Sequence, residues 1–359
     1  MIPGDGQRFT YTGLPARVVF GAGTLARARD EVERLAITRA LILTTPSQIA
    51  HGQAVVDCLG DRAAGVFNGA VMHTPVEVTR AALDALRGAG ADGVVAIGGG
   101  STIGLGKAIA VRTGVPQLAI PTTYAGSEMT PVLGETEAGV KTTRRSLDVL
   151  PEAVIYDVEL TLGLPAALSG TSGINAIAHA VEALYARDGN PITSLMAEHG
   201  IAALARALPA IAADPVDRAA RGDALYGAWL CGVCLGAVGM ALHHKLCHVL
   251  GGTFGLPHAE THTVVLPHAV AYNAPAAPEA MGRIARALGL EGGDAAGGLH
   301  DLAAAVGAPR SLAELGLPAD GLDRAADLAV QNPYANPRPL ERAAIRALLE
   351  RAFTGARPE

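Results

Sequence analysis

The stretch GVVAIGGGS, residues 93–101, decides the reading of the fold. Its first five residues are a short apolar run, the composition of a strand covered on both faces. Gly98-Gly99-Gly100 ends the run, and residues 101–112 then have the spacing of a helix. Outward from this unit the pattern repeats. Residues 16–20, 40–44, 64–67, 118–121 and 153–156 read as strands, and residues 24–35 and 75–87 as helices. Strands alternating with helices predict a parallel sheet with helices on its faces. After Tyr156 the β pattern stops. Residues 169–186, 192–213, 216–250, 279–287 and 340–353 all read as helices. The expected architecture is an α/β domain with a parallel sheet, residues 1–157, then an all-helical domain, residues 158–359.

Composition agrees with two cores, since 359 residues exceed what one ordinary core encloses. Half the residues are hydrophobic but only 4% are aromatic, so Ala, Val and Leu must fill the interior. A net charge of −6 without a basic run excludes a nucleic-acid-binding surface. Four cysteines without a paired framework, and a start (residues 1–11) lacking an apolar segment, lead us to expect a cytoplasmic protein. Residues 224–242 are nineteen uncharged residues, long enough for a membrane span. They stand alone, run into His243-His244-Lys245, and hold Gly232 and Gly236 for close packing, so a buried helix of a soluble domain is expected.

The glycines at 98–100 lie where a strand meets a helix. Backbone N–H groups there can approach a pyrophosphate, and the helix N-terminus adds partial positive charge. Gly21-Ala22-Gly23-Thr24-Leu25-Ala26 also spells a nominal G-x-G-x-x-A. No acidic residue follows about twenty positions later to hold a ribose, so it reads as a turn capping the first helix. The loop Pro121-Thr122-Thr123-Tyr124-Ala125-Gly126-Ser127-Glu128 follows the next strand and brings hydroxyls beside the glycine loop.

Six of the eleven histidines fall between His243 and His268. His244 and His248 are one helical turn apart and share a face, whereas His243 points elsewhere. His258 follows a glycine-rich turn, and Asn175 and His179 make a second one-turn pair upstream. His179, His244, His248 and His258 therefore form the expected active-site set. His243, His262, His268 and His300 read as core or capping residues. Cys231-x-x-Cys234 with His244 and His248 imitates a zinc finger, but the cysteines sit inside an apolar helix and read as packing residues.

GGGS followed by Lys107, the PTT…GSE loop, Lys141, NAIAHAVEA and HHKLCHVLGG…LPHAETH together resemble the iron-containing alcohol dehydrogenases along nearly the whole chain. The resemblance implies the dehydroquinate synthase-like fold, with a dinucleotide-binding α/β domain, a helical domain and a homodimer. MHTPVEVT, GGGSTIGLGKA, IPTTYAGSEMTP and ALYGAWLCGVCLG look most like those members that reduce maleylacetate to 3-oxoadipate with NADH or NADPH in aromatic-ring degradation. It implies cofactor contacts at Gly98, Gly99, Gly100, Ser101, Thr102, Thr122, Thr123, Ser127, Thr44, His73 and Lys141. The family's metal ligands, an Asp and three His, fall at Asn175, His179, His244 and His258, and His248 falls where the family places a histidine near the nicotinamide. The anionic ligand is thus a neutral amide here, and the Asp of the family's GGGS-x-x-D is Gly104. Both departures lead us to expect a site without a metal. Thr44-Thr45-Pro46 stands where relatives carry an Asp, so NADPH should be accepted beside NADH.

Hydride delivery to a double bond conjugated with a ketone makes an enolate, which needs charge stabilisation and a proton. His244 and His248 are the favoured donors, with Tyr124 a further candidate. A dicarboxylate substrate needs cations, for which Lys245, Arg144, Arg145 and Arg338 are available, with Asn175 also facing the substrate. The alternative is a metal-dependent alcohol dehydrogenase on the same fold, in which Asn175 ligates through its amide oxygen.

Overall fold

The computed structural model describes residues 9–14 and 16–358. The chain divides into two compact units, one of them Leu14–Leu164 and the other comprising Pro165–Glu359.

Among the described residues the first unit holds eight strands: β1 (Arg17–Phe20), β2 (Ala40–Leu43), β3 (Ala63–Phe67), β4 (Gly93–Gly98), β5 (Gln117–Pro121), β6 (Val132–Glu137), β7 (Val140–Arg145) and β8 (Ala153–Tyr156). Its helices are α1 (Ala28–Arg34), α2 (Ile49–Leu59), α3 (Val76–Gly88) and α4 (Gly100–Thr113). Six strands form a sheet in the order β1-β8-β5-β4-β2-β3, with every pair parallel. Alternate side chains of the central strands serve opposite faces. Ile42, Val95, Ile97, Leu118 and Ile120 pack with Val32 of α1 and Val55 and Leu59 of α2. Leu41, Leu43, Val94 and Ala96 pack with Leu83 and Leu86 of α3 and Leu105 and Ile109 of α4. The chain order along the sheet reverses between β2 and β4. In such sheets ligands bind beyond the strands' C-terminal ends at that reversal.

Two elements of this unit are absent from the sequence reading: helix α2, and an antiparallel hairpin of β6 with β7. The decoy glycine motif has a physical account. The carboxylate of Asp157 accepts from Gly23 N at 2.9 Å and Leu25 N at 2.8 Å, so these N–H groups cap a turn.

The second unit holds α5 (Ala166–Ala183), α6 (Pro191–Ala213), α7 (Arg218–Ala237), α8 (Leu242–Phe254), α9 (His258–Asn273), α10 (Pro278–Ala287), α11 (Ala295–Ala305), α12 (Gly321–Ala329) and α13 (Arg342–Thr354). The single helix expected over residues 216–250 is two, α7 and α8, bent by 94°. The uncharged stretch therefore does not run as one straight helix. Among the described residues one helix, α6, is long and apolar enough to cross a membrane. It packs against α5 and α7. The close crossing of α6 and α7 uses Gly200 and Gly227: a Cβ on Gly200 would meet Cys231 Sγ at 2.7 Å, and one on Gly227 would meet the Gly200 carbonyl at 2.9 Å. Helix α9 is also new to the reading, because Pro267 lies inside it and conceals its period.

Candidate functional site

In the α/β unit, β4 delivers its glycines to the start of α4. Gly98 has φ of 150°, which glycine alone adopts without strain. A Cβ there would strike Thr102 Oγ1 at 2.5 Å and Gln48 Oε1 at 2.8 Å, and one on Gly99 would meet Thr123 at 3.1 Å. Helix α4 has no side-chain cap. The N–H groups of Gly100 and Ser101 thus remain for an anion brought close by the missing side chains, at the reversal point of the sheet. These features fit a dinucleotide pyrophosphate. Gln48, unremarked in the sequence, spans three loops here. Its amide donates to Thr122 Oγ1 at 2.9 Å and its carbonyl accepts from Thr45 at 3.3 Å.

The other expected cofactor residues of this unit are differently committed. Thr44 is fully buried and donates to the Gln48 backbone carbonyl. Thr102 is fully buried with an unpartnered Oγ1. His73 is exposed, and with Thr74 it adopts positive φ. The Lys141 side chain lies outside the described residues, and the expected substrate cations Arg144 and Arg145 are both exposed at the end of β7. Thr74 Oγ1 would lie only 2.5 Å from a Cβ on Gly104, so the space for a residue-104 side chain is filled.

Below the polar loop after β5 lies a buried charged group. Lys107 Nζ donates to the carbonyls of Ser127, Thr130 and Val132 at 2.5, 2.8 and 2.9 Å. Burial pushes the Lys107 ammonium down to about 7, against the pull of Glu128. Tyr156 donates to Glu128 Oε1 at 2.7 Å. Burial raises the Glu128 carboxyl, and its other oxygen has no partner. Tyr124, in the same loop, is fully buried.

In the helical unit, α5, α8 and α9 bring six imidazoles together. Ring centroids lie 5.2 Å apart for His179 and His244, 5.0 Å for His244 and His262, 4.4 Å for His258 and His262, and 6.3 Å for His244 and His248. His179 and His244 are buried, whereas His248 and His258 are exposed. His258 is the first residue of α9 rather than a loop residue. His243 and His262 are fully buried core residues and also join this cluster, for His243 Nε2 lies 2.9 Å from His262 Nδ1 and both rings pack on His244. Burial first, then the neighbouring imidazoles, holds His179, His243 and His262 well below the usual histidine range.

Cys247 Sγ is 3.7 Å from His243 Nε2, and together with His262 these atoms fall within 4.8 Å of one another. The short nitrogen–nitrogen contact is that of a hydrogen-bonded pair with a thiol beside it. Cys231 and Cys234 are buried in α7, as packing residues should be, and burial pushes the Cys234 thiol up to about 12.

The sequence reading missed Glu182, one turn beyond His179 on α5. Fully buried, it accepts from Ala241 N at 2.7 Å, His243 N at 2.8 Å and His244 Nδ1 at 2.8 Å. Asn175 Oδ1, His179 Nδ1 and His244 Nε2 are buried without partners. Such atoms call for a ligand, water or ion. As a metal site the set supplies three imidazoles and an amide oxygen, donors that suit a divalent transition metal, without a carboxylate.

Lys245 Nζ lies 5.8 Å over the Tyr334 ring. Arg338 stacks on Tyr272 at 4.4 Å, donates to the Tyr272 carbonyl, and lines a 420 Å³ cavity that contains none of the active-site histidines.

Comparison with known proteins agrees with both units. Residues 15–158 match the iron-containing alcohol dehydrogenase family, and residues 169–353 match the C-terminal region of the Fe-containing alcohol dehydrogenase family. A maleylacetate reductase of Rhizobium sp. strain MTP-10005 is 60% identical, covering 98% of this chain and 100% of the relative. One from Burkholderia cepacia is 60% identical over 98% of this chain and 99% of its own length. The crystal structure of maleylacetate reductase from Agrobacterium tumefaciens superposes with a TM-score of 0.94 at 60% identity, covering 98% of this chain and 100% of that one. With both units matched and these relatives aligned end to end, the chain belongs to the iron-containing alcohol dehydrogenase family and, within it, to the maleylacetate reductases.

Proposed function

We propose that this chain reduces the conjugated carbon–carbon double bond of maleylacetate to give 3-oxoadipate in aromatic-compound degradation, with NADH or NADPH as reductant. The observation that carries the reading is 60% identity to a maleylacetate reductase over 98% of the chain. The bound nicotinamide supplies a hydride. In the α/β unit, Gly98, Gly99, Gly100 and Ser101 hold the pyrophosphate at the start of α4. Thr102, Thr122, Thr123, Ser127, Thr44, His73 and Lys141 are the further cofactor contacts, and Gln48 orders the loops among them. No carboxylate follows β2, so a 2′-phosphate meets no repulsion at Thr44-Thr45-Pro46.

In the helical unit the histidines deal with charge and proton. Hydride arrives at the carbon β to the ketone, and the double-bond pair moves onto the ketone oxygen as an enolate. A proton delivered to the adjacent carbon restores the ketone, so the net addition is one hydride and one proton. His244 and His248 are the assigned donors, His179 and His258 stabilise the developing negative charge, and Tyr124 is a further candidate. Lys245 and Asn175 are the assigned substrate contacts, and Arg338 is the weakest of the original set because it is committed to Tyr272. The reading takes the enzyme as a cytoplasmic homodimer that works without a metal, since Asn175 offers no charge to one.

NADH oxidation by purified protein, with maleylacetate set against a panel of simple alcohols and aldehydes, tests the reading. Turnover confined to maleylacetate and surviving EDTA supports it. One observation favours a second reading. Asn175 Oδ1, His179 Nδ1 and His244 Nε2 are unpartnered, as a ligand set would be before a divalent cation binds. Activity lost to EDTA and restored by Fe²⁺ or Zn²⁺ would establish that version instead.

A further inference from the structure

We infer that Glu182 is a positioning residue that acts through His244. The inference rests on the proposed role of His244 but concerns a residue which that proposal does not use. Glu182 lies on α5, one turn past His179, and is completely buried. It faces three donors with two oxygens. Oε2 accepts from Ala241 N and His244 Nδ1, and Oε1 accepts from His243 N. The two backbone bonds fix the first turn of α8, which has no side-chain cap of its own. The third bond fixes the ring. With Nδ1–H held by the carboxylate, His244 presents Nε2, a buried nitrogen with no other partner, to whatever it acts upon. One carboxylate thus sets both the place of the helix and the orientation and tautomer of its imidazole. Only a carboxylate can do so. In either orientation, a glutamine amide would turn its NH₂ toward a backbone N–H of Ala241 or His243.

A double-mutant cycle separates this role from a merely structural one. Glu182→Gln should lower kcat about 10–100-fold, the usual effect of losing a group that orients a catalytic or ligating histidine, while KM for NADH changes little. In a His244→Ala background the same substitution should cost no more than about twofold in kcat. Glu182→Asp, one methylene shorter, serves in the cycle if the glutamine variant does not fold. An equal loss of kcat in both backgrounds would overturn the inference. A second readout needs no turnover and so stays valid if maleylacetate proves not to be the substrate. ¹⁵N-resolved NMR of the imidazoles should show a protonated Nδ1 signal that disappears in His244→Ala and shifts in Glu182→Gln. A signal unmoved by Glu182→Gln would remove Glu182 from the role.

Discussion

At the scale of single residues, absent atoms matter as much as present ones. Gly99 brings backbone to within a Cβ's reach of Thr123, at 3.1 Å, beside an uncapped helix start. Gly99→Val should therefore weaken NADH binding by about tenfold or more, ~1.4 kcal/mol, as read by fluorescence titration. An unchanged affinity in folded protein would move the pyrophosphate away from this loop. Asn175 is the opposite case, an amide one turn before His179 whose buried oxygen has no partner. Asn175→Asp should raise affinity for Zn²⁺ or Fe²⁺ by about 10-fold or more, measured by metal titration, because it restores a negative ligand. His243 warns against reading helical faces as independent. It does differ from His244 in direction, since His244 turns to Glu182 and His243 to His262. Yet it is fully buried, so His243→Ala leaves a cavity and an unpaired His262 and should cost about 2–4 kcal/mol in chemical denaturation. Exposed His199→Ala should be neutral by the same measurement.

At the scale of elements, local pattern revealed what local physics controls. The sheet strands were legible because burial on both faces leaves continuous apolar runs, and α3 and α4 because their flanking turns punctuate them. The break between α7 and α8 was not legible. Residues 224–242 carry no charge and read as one helix. Distant side chains hold the turn: Asp188 takes the N–H of Gly239, Glu182 those of Ala241 and His243, and Asn336 that of Leu242. Glu182 itself left no mark, because a glutamate on a helix is ordinarily a solvated one. The histidine set was legible from spacing and number, and the glycine loop from its place between strand and helix. Lys107 was visible only as part of a motif. Its ammonium ties three carbonyls from the segment after β5 to helix α4, next to Glu128. Lys107→Met should leave those carbonyls without their donor and Glu128 without the charge that offsets it, and should lower stability by about 3–5 kcal/mol. A denaturation midpoint within experimental scatter of the parent would show that the loop holds without it.

At the scale of the whole molecule, the two units differ in how they should answer to acid. Leu14–Leu164 contains only His51 and His73, while the helical unit holds His243, His262 and His268, each no more than 3% exposed. Burial holds His243 and His262 well below their ordinary range. On His243 it is helped by His244, His179, His258 and His248, and on His262 by His258, His243, His244 and His179. Burial, with His300 and Arg351, takes His268 to about 4. The unfolded chain protonates each near 6.5, so between the folded and unfolded values it binds more protons than the folded chain does. Stability is then complete above about pH 6.5 and is lost as pH falls toward 4, by up to about 1.4 kcal/mol per pH unit for each group. In the α/β unit one group has the same sign in a higher pH window and one has the opposite sign. Lys107, at about 7, gains its stabilisation above neutrality, and Glu128, raised by burial, favours the folded state on the acid side of its shift. Urea denaturation at pH 7.5 and pH 5 should therefore show a clear drop in midpoint. Limited proteolysis at pH 5 should cut first beyond Pro165. A midpoint independent of pH over that range, or first cuts within the parallel-sheet unit, would mean that the buried imidazoles are not what limits the fold in acid.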